Sequence, residues 1–270
     1  MAQTVYLASS RELDIQKTFD CGQCFRWIRS SDGGYEGVAF EYPARLWTEG
    51  EKVYIRSDAP EALWRRYFDL DTDYAAVSET FLTEGYLKTC TEYGAGIRIL
   101  RQEPWEALCS FIISQCNNIT RIMGIVDRLC KLFGERVELD GKEYCTFPSA
   151  QTVARLTPDD LAPLRCGYRA PYILSAAKAV ADGSLDIDAL CEMDYNAAKK
   201  ELLKLNGIGE KVANCVVLFG LGHMEAFPID VWIRRALKEH FSPDFDPATL
   251  GDYAGLAQQY IFYYARSTGE

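Results

Sequence analysis

The stretch that decides the fold of its surroundings is Leu202-Leu203-Lys204-Leu205-Asn206-Gly207-Ile208-Gly209-Glu210-Lys211-Val212-Ala213. Helical patterns flank a tight turn in which Gly207 and Gly209 stand two residues apart. Both glycines permit a positive φ and leave backbone N–H groups uncovered. With the N-terminus of the second helix, those groups form an anion site that suits a phosphate. A plain helical hairpin with glycine at its C-cap explains the turn equally well.

Lys211 adds chemistry to this hairpin, because it lies in the first turn of the second helix. The positive end of the helix dipole disfavours an ammonium ion there and favours the neutral, nucleophilic amine. Asp230 follows nineteen residues later, after an apolar approach that contains Pro228. Its ordinary role is a helix N-cap, although Ile233 stands where a reciprocal capping box needs Glu or Gln. Lys211 is therefore a candidate nucleophile and Asp230 a candidate acidic partner, while a surface lysine and a simple cap are the alternatives.

The bulk composition is that of a globular protein with a sizeable core. The chain has 270 residues, 48% hydrophobic and 25% charged, which suggests one large domain or two ordinary ones. No signal peptide and no apolar stretch of membrane-spanning length is visible, so we expect a cytoplasmic protein, nucleoid-associated if the source is prokaryotic, with no membrane partner. The net charge of −10 argues against a broad basic surface, but segment 98–136 has a surplus of basic residues.

The ten cysteines do not predict a metal site. Cys21 and Cys24 form the only CxxC pair, and the histidines, His223 and His240, are remote from other candidate ligands. A closed zinc site needs a second clustered pair, which is missing. We therefore expect reduced cysteines and no metal.

The order of predicted elements indicates an α+β fold. Segments rich in β-formers predict an antiparallel meander of strands at 25–29, 35–40, 45–48 and 52–56, with a turn at 41–43. Helical patterns follow at 60–68, 104–115, 119–133, 149–156, 158–164, 170–182, 195–205, 211–220, 231–240 and 252–266. Asn118 is the expected N-cap of the helix over 119–133, and Gly134 its stop. We predict a small sheet domain with trailing helices at 1–95 and a helical domain at 96–270, with the helix-hairpin-helix at about 195–221.

Two of these motifs together resemble the helix-hairpin-helix glycosylase superfamily. They are Gly207-Ile208-Gly209-Glu210-Lys211 and Pro228-Ile229-Asp230-Val231, and lysine at the nucleophile position is typical of bifunctional members. No cysteine follows Cys215, so the iron–sulfur cluster of some members is not expected. The resemblance narrows to the 8-oxoguanine DNA glycosylase family through five ordered segments that span nearly the whole chain, at 22–27, 117–121, 167–170, 211–215 and 253–258.

The resemblance implies base flipping followed by excision and strand cleavage. Lys211 is then the nucleophile at C1′, Asp230 stabilises the positive charge on the sugar, and a Schiff base allows β-elimination. The expected partner is double-stranded DNA containing 8-oxoguanine, preferably opposite cytosine, bound by a monomer. No metal or organic cofactor is expected.

The same resemblance assigns roles to further residues. Those for the lesion base are Gly22, whose carbonyl would accept the N7–H of 8-oxoguanine, Gln258 on the Watson–Crick edge, and Cys215 with Phe262 as a sandwich. Those for the duplex are the Tyr168 wedge, Arg121 and Arg169 on the opposite cytosine, and Asn117 and Asn118. The hairpin glycines, Gly207 and Gly209, and Trp232 would contact phosphates.

Three positions depart from the family pattern. Cys116 replaces the first asparagine of a triplet, Trp232 stands where a phosphate-contacting histidine is common, and Asn206 replaces a proline. These departures put the opposite-base preference and the phosphate contacts in doubt rather than catalysis. The alternatives are a glycosylase for alkylated purines, against which Lys211 argues, and a non-catalytic helix-hairpin-helix protein that binds DNA.

Overall fold

The N-terminal part of the chain folds into a five-stranded antiparallel sheet. The computed structural model describes residues 2–82 and 85–269. Its sheet strands are β1 (Gln3–Ser9), β2 (Ile28–Arg29), β3 (Tyr35–Ala39), β4 (Tyr42–Glu49) and β5 (Lys52–Ser57). They lie in the order β1-β5-β4-β3-β2, so β1 pairs with β5 at the far edge.

The predicted meander is confirmed, with three differences. The strand β1 was not predicted, and the predicted strand over 25–29 shortens to Ile28–Arg29. The predicted turn at 41–43 is wrong at two positions, because Tyr42 and Pro43 already belong to β4. Pro43 is opposite Val38 near the start of the strand, a position at which a missing N–H is tolerated.

Helices make up most of the remaining chain. The first group accompanies the sheet: α1 (Ile15–Asp20), α2 (Glu61–Tyr67), α3 (Tyr74–Glu79) and α4 (Tyr86–Gly94). The second group forms the helical region: α5 (Pro104–Ser114), α6 (Ile119–Phe133), α7 (Ala150–Ala154), α8 (Ala170–Ala181), α9 (Ile187–Glu192), α10 (Tyr195–Leu202), α11 (Glu210–Val216), α12 (Val231–His240) and α13 (Ala254–Thr268). Short 3₁₀ segments lie at Ala162–Leu164, Gly167–Arg169 and Pro247–Tyr253, and a π-helical segment, Val217–Leu221, continues α11.

The predicted helix boundaries hold best where a polar cap is present. The Asn118 side chain caps α6 by accepting from the Arg121 backbone N–H at 2.9 Å, and Gly134 ends that helix, as predicted. The predicted helix over 158–164 is wrong. Only its last three residues are helical, as a 3₁₀ turn, and Arg165 leaves it in the left-handed region with φ +56°.

A β-hairpin that the sequence did not reveal interrupts the helices. It consists of β6 (Arg136–Leu139) and β7 (Lys142–Cys145), joined through Asp140 and Gly141, both with positive φ. Its turn returns to the N-terminal sheet, where Asp140 pairs with Arg56 at 2.5 Å.

Two hydrophobic cores correspond to the two kinds of structure. Aromatic residues such as Trp27, Trp64 and Phe68 fill the core beneath the sheet. A larger core lies among the helices and includes Phe25 and Cys21 from the N-terminal segment. The segment around residues 21–25 therefore lies between both cores. The domain boundary at 95/96 stays a prediction.

The structure also bears on membrane-spanning helices and on the CxxC pair. None of the helices among residues 2–82 and 85–269 is long and apolar enough to cross a membrane. Cys21 and Cys24 are both buried, and burial raises the pKa of the Cys21 thiol to about 12. That thiol therefore stays protonated at neutral pH.

Candidate active site

The helix-hairpin-helix is formed by α10 and α11 with residues 203–209 between them. Gly207 has φ +82°, and a Cβ added there would lie 2.4 Å from the Tyr172 ring, so only glycine fits. The expectation for Gly209 needs correction, because its φ of −104° is open to any residue. A Cβ on Gly209 would meet nothing within 4 Å, so its backbone is openly accessible from outside. Gly207 is therefore required by the turn, whereas Gly209 leaves the backbone at the start of α11 exposed.

Lys211 lies in the first turn of α11, as predicted, and its side chain is half-buried. The Nζ atom donates to Ser114 Oγ at 3.2 Å and lies 5.6 Å from the centre of the Phe111 ring. Ser114 in turn donates to the Phe111 carbonyl at 2.8 Å. The amine is thus held by a neutral hydroxyl at the C-terminal end of α5, against an aromatic wall, rather than by a carboxylate.

Asp230 is the N-cap of α12, which confirms its structural role. One oxygen, Oδ1, accepts from the backbone N–H groups of Trp232 and Ile233 at 3.0 and 2.9 Å. The other oxygen, Oδ2, has no hydrogen-bond partner among residues 2–82 and 85–269. Asp230 and Lys211 line the same recess, but within the described chain they do not approach to the 4.0 Å of an ion pair. One carboxylate oxygen is thus held by the helix while the other is available for chemistry.

All the residues assigned to the lesion base converge on that recess. Its walls come from the N-terminal segment, α5, α11 and α13, and it opens beside a larger cavity of about 990 Å³ that also contains Lys211 and Asp230. The predicted residues on its surface are Gly22, Lys211, Cys215, Asp230, Gln258 and Phe262. Residues up to 240 positions apart in the sequence therefore form one site.

Gly22 has φ +83° and is packed tightly. A Cβ added there would lie 3.0 to 3.2 Å from Arg266, Ile119 and Phe262, so a larger residue would be both strained and crowded. The carbonyl of Gly22 accepts no hydrogen bond from any described residue. The recess is thus bordered by a backbone acceptor that is still available.

Gln258 has the clearest signature of a ligand-binding group. Its side chain is only 4% exposed, and within the described part of the chain its Oε1 atom is buried without a hydrogen-bond partner. Buried unpaired amide oxygens are costly and are normally satisfied. Cys215, on the facing helix, is also buried, which raises the pKa of its thiol while the nearby Lys211 opposes that rise.

The residues assigned to the duplex lie on the outer side of the cavity. Tyr168 is 52% exposed, as a wedge must be, and its ring lies 4.4 Å from the Arg169 guanidinium. Arg169 itself is only 3% exposed and donates to the carbonyls of Gln115, Cys116 and Cys166. In this structure Arg169 holds the connection between α5 and α6, so it would need to exchange those contacts to reach a cytosine.

The connection from α5 to α6 carries the other predicted duplex contacts. Asn117 donates to the Ile113 carbonyl, and Asn118 is the N-cap described above, so both have structural partners. Arg121 is exposed, and its guanidinium has no partner among the described residues. Cys116 is exposed as well and has φ +46°. Trp232 is half-buried and lines the cavity beside Asp230.

Four residues near the site were not identified from the sequence. Ser114 and Phe111 contact Lys211, and on α13 Gln259 and Arg266 contact the segment before Gly22. Helical periodicity could have placed Arg266 on the face of Phe262, but nothing local connects α5 or α13 with their distant partners.

Family models cover nearly the whole chain. Residues 5–108 match the N-terminal domain of 8-oxoguanine DNA glycosylase, and residues 109–249 match the HhH-GPD superfamily of base excision DNA repair proteins. The division between the two matches lies at 108/109, which is thirteen residues after the boundary expected from the sequence.

Individual relatives agree with these families. A probable N-glycosylase/DNA lyase of Methanothermobacter thermautotrophicus is 31% identical, with 96% of this chain and 95% of that protein covered. The N-glycosylase/DNA lyase of Saccharomyces cerevisiae is 31% identical over 85% of this chain and 69% of its own length. The 8-oxoguanine glycosylase/lyase of Clostridium acetobutylicum, solved with double-stranded DNA containing cytosine opposite 8-oxoguanine, superposes with a TM-score of 0.90 at 33% identity and covers 99% of both chains.

Proposed function

The chain belongs to the 8-oxoguanine DNA glycosylase family of the helix-hairpin-helix superfamily, and from that premise we propose how its residues divide the work of excision. It is a bifunctional DNA glycosylase and AP lyase that removes 8-oxoguanine in base excision repair. The relatives that define the family are named as enzymes, which decides against the non-catalytic alternative. A lysine in the recess also separates this chain from glycosylases that use water as the nucleophile.

Lys211 is the nucleophile of the reaction. Its neutral amine attacks C1′ of the flipped nucleotide, and the base leaves with the electrons of the glycosidic bond. Asp230 Oδ2, unpartnered in the described chain, stabilises the positive charge that develops on the sugar. The amine loses a proton, the C1′–O4′ bond breaks as O4′ takes up a proton, and a protonated Schiff base forms at C1′. Removal of a C2′ proton then allows β-elimination, which breaks the C3′–O bond on the 3′ side of the lesion. Ser114 orients the amine through its hydroxyl.

The recess reads the base by complementary hydrogen bonding. The free carbonyl of Gly22 accepts the N7–H that 8-oxoguanine has and guanine lacks. The buried Oε1 of Gln258 accepts from the Watson–Crick edge, which carries donors at N1 and N2. Cys215 and Phe262 enclose the two faces of the base. The two unsatisfied acceptors support this assignment because both become satisfied by the same ligand.

The duplex lies across the outer side of the cavity. Tyr168 fills the gap left by the flipped base, the hairpin at Gly207 and Gly209 contacts phosphates through backbone N–H groups, and Trp232 packs near the sugar-phosphate chain at Asp230. Asn117 and Asn118 place the connection before α6 beside the gap.

Cytosine is the preferred base opposite the lesion. The guanidinium of Arg121, which has no partner in the part of the chain that the structure describes, donates to the O2 and N3 acceptors of cytosine. Arg169 joins it after exchanging its contacts with the 115–116 carbonyls. The Clostridium acetobutylicum relative was solved with that base pair. Cys116 replaces an amide at this place, so the preference is softened. The enzyme acts as a monomer on genomic DNA, and therefore in the nucleoid if the source is a prokaryote.

The position of Lys211 in the recess carries the proposal, and Lys211→Gln tests it. The variant should lose base excision and borohydride cross-linking to an 8-oxoguanine duplex, yet keep most of its affinity for that duplex. Lys131→Gln is the matched control, because Lys131 is exposed on α6, away from the hairpin, and pairs with Asp127. Single-turnover excision and trapping should be normal in the control. A covalent adduct formed by Lys211→Gln would disprove the assignment of the nucleophile.

A further inference from the structure

Two side chains of α13 hold the segment that leads into Gly22. Gln259 Nε2 donates to the Cys21 carbonyl at 2.7 Å, and Arg266 Nη2 donates to the Asp20 carbonyl. Gln259 is 2% exposed, so its bond is shielded from water. Asp20 and Cys21 are the two residues before Gly22, and α13 therefore grips the backbone immediately ahead of it.

Other side chains hold the remaining carbonyls around Gly22. The Gln23 amide donates to the Thr18 carbonyl at 2.9 Å, and Gln102 donates to the Gln23 carbonyl at 2.7 Å. In the described chain, the Gly22 carbonyl is the one in this group that no donor occupies. Gly22 has a left-handed φ, so its carbonyl need not point in the same direction as those of its neighbours. Among the described residues, this network leaves the Gly22 carbonyl without a donor while it holds the carbonyls on both sides of it.

The same helix also carries the groups that contact the base. Gln258 and Phe262 line the recess, while Gln259 and Arg266 lie at the positions that reach the N-terminal segment. The Arg266 guanidinium lies 5.5 Å from the centre of the Phe262 ring. The helix α13 therefore connects Gln258, proposed to bind the Watson–Crick edge, with the backbone next to Gly22, proposed to bind N7.

The burial of the Arg266 guanidinium is energetically unfavourable if the side chain serves only to fill space. Its Nη1 atom is buried and has no hydrogen-bond partner among residues 2–82 and 85–269. It lies close to Gly22, within 3.0 Å of where a Cβ would be. An apolar side chain would fill this space without leaving a buried donor unsatisfied. The arginine is better explained by the bond that Nη2 makes to Asp20.

We infer that Gln259 and Arg266 are positioning residues for damage recognition: they hold the Gly22 carbonyl at a set distance from Gln258 and Phe262. This inference rests on the proposed function of Gly22. Without the two bonds, the carbonyl can shift away from N7, and the site loses its ability to distinguish an N7 donor from an N7 acceptor. The affinity for undamaged DNA should be unaffected, because both side chains donate to backbone carbonyls of the protein.

The experiment compares two lesions in a Lys211→Gln background, where no turnover occurs. Duplexes carry 8-oxoguanine or 8-bromoguanine opposite cytosine; both purines carry a substituent at C8, but only 8-oxoguanine has an N7 donor. The background protein should prefer 8-oxoguanine, and Arg266→Met should reduce that ratio of Kd values about tenfold, the scale of one hydrogen bond to the base. Methionine keeps length and packing on Phe262 but donates nothing. Arg266→Lys should restore most of the ratio, and Gln259→Met should repeat the loss.

Arg235→Met is the matched control, because Arg235 is exposed on α12 and pairs with Glu239. It removes one positive charge and should leave the ratio unchanged. If the background protein itself shows no preference for 8-oxoguanine, the proposed role of Gly22 fails. If the preference is present but Arg266→Met and Gln259→Met retain it, or weaken binding to both lesions equally, the positioning role is wrong. Thermal melts of each variant exclude unfolding as the cause of a reduced ratio.

Discussion

The side-chain oxygen of Gln258, Oε1, is a buried acceptor whose position indicates a ligand. The side chain sits in a well-packed helix, and Oε1 lacks a partner among the residues described. In a purely structural position such an unsatisfied acceptor would destabilise the folded protein by about 1–3 kcal/mol. Its presence at the floor of a recess beside Lys211 and Asp230 argues for a ligand that supplies the missing donor.

Gln258→Ala should therefore weaken binding of the lesion duplex by about 1–3 kcal/mol, since the donors of the flipped base lose their acceptor. Binding to undamaged duplex should hardly change, because no base enters the recess there. Both affinities can be measured by fluorescence anisotropy at one stated salt concentration. Equal losses on the two duplexes would show that Gln258 supports the structure instead. Gln151→Ala is a suitable control, as this glutamine is exposed on α7.

At the scale of elements, the connection between α5 and α6 is the most unusual part of the site. Cys116 adopts φ +46°, a region that asparagine tolerates well and cysteine does not. The family pattern has asparagine at this position. Cysteine therefore strains the backbone here and removes the amide that the resemblance places beside the opposite base.

Cys116→Asn should sharpen the preference for cytosine opposite the lesion by about 1–3 kcal/mol, the usual scale of a base-edge contact. It should also raise the free energy of unfolding, by up to about 1 kcal/mol, as the strain in the connection falls. Single-turnover excision of 8-oxoguanine opposite each of the four bases measures the first effect, and urea unfolding the second. Cys191→Asn, at the other exposed cysteine, should leave the preference as it was. An unaltered preference in Cys116→Asn would remove this residue from opposite-base recognition.

At the scale of the whole molecule, a buried ion pair joins the segment before β2 to α5. Arg26 Nη1 contacts Glu106 Oε2 at 2.9 Å, with side chains only 7% and 12% exposed. Arg26 also donates to the Cys145 carbonyl in β7. Burial raises the pKa of the Glu106 carboxyl, and Arg26 opposes that rise. Three parts of the chain therefore meet at one charge pair.

Glu106→Gln should destabilise the protein by about 3–5 kcal/mol, because it leaves the Arg26 guanidinium buried without its counter-ion. The double variant Arg26→Met, Glu106→Met removes both charges and should recover much of that loss. Urea unfolding of the three proteins makes the comparison. If the double variant is as unstable as Glu106→Gln, the cost arises from packing and the unpaired charge is not its cause.

The sequence by itself identified the family and the elements that present the candidate catalytic residues. The glycines of the hairpin, Lys211 at the start of α11 and Asp230 at the start of α12 are local features, since turn geometry, helix caps and helix dipoles act within a few residues. The meander over 25–56 was visible for the same reason: alternation and turn residues are short-range signals. The strand β1 was missed because it pairs with β5, which lies far along the chain. The hairpin β6–β7 was missed because its strands have only four residues each, and short strands gain their stability from their surroundings.

Only the tertiary structure decided how these pieces meet. Sequence reasoning assigned Gly22, Cys215 and Gln258 to one pocket through a family resemblance, but their convergence depends on packing between helices and sheet. Packing also showed that Gly209 needs no left-handed backbone, that Arg169 is buried against carbonyls, and that α13 grips the segment before Gly22. Such contacts join residues up to 246 positions apart. No local pattern encodes them, because the free energy that selects them comes from burial and hydrogen bonding summed over the folded chain.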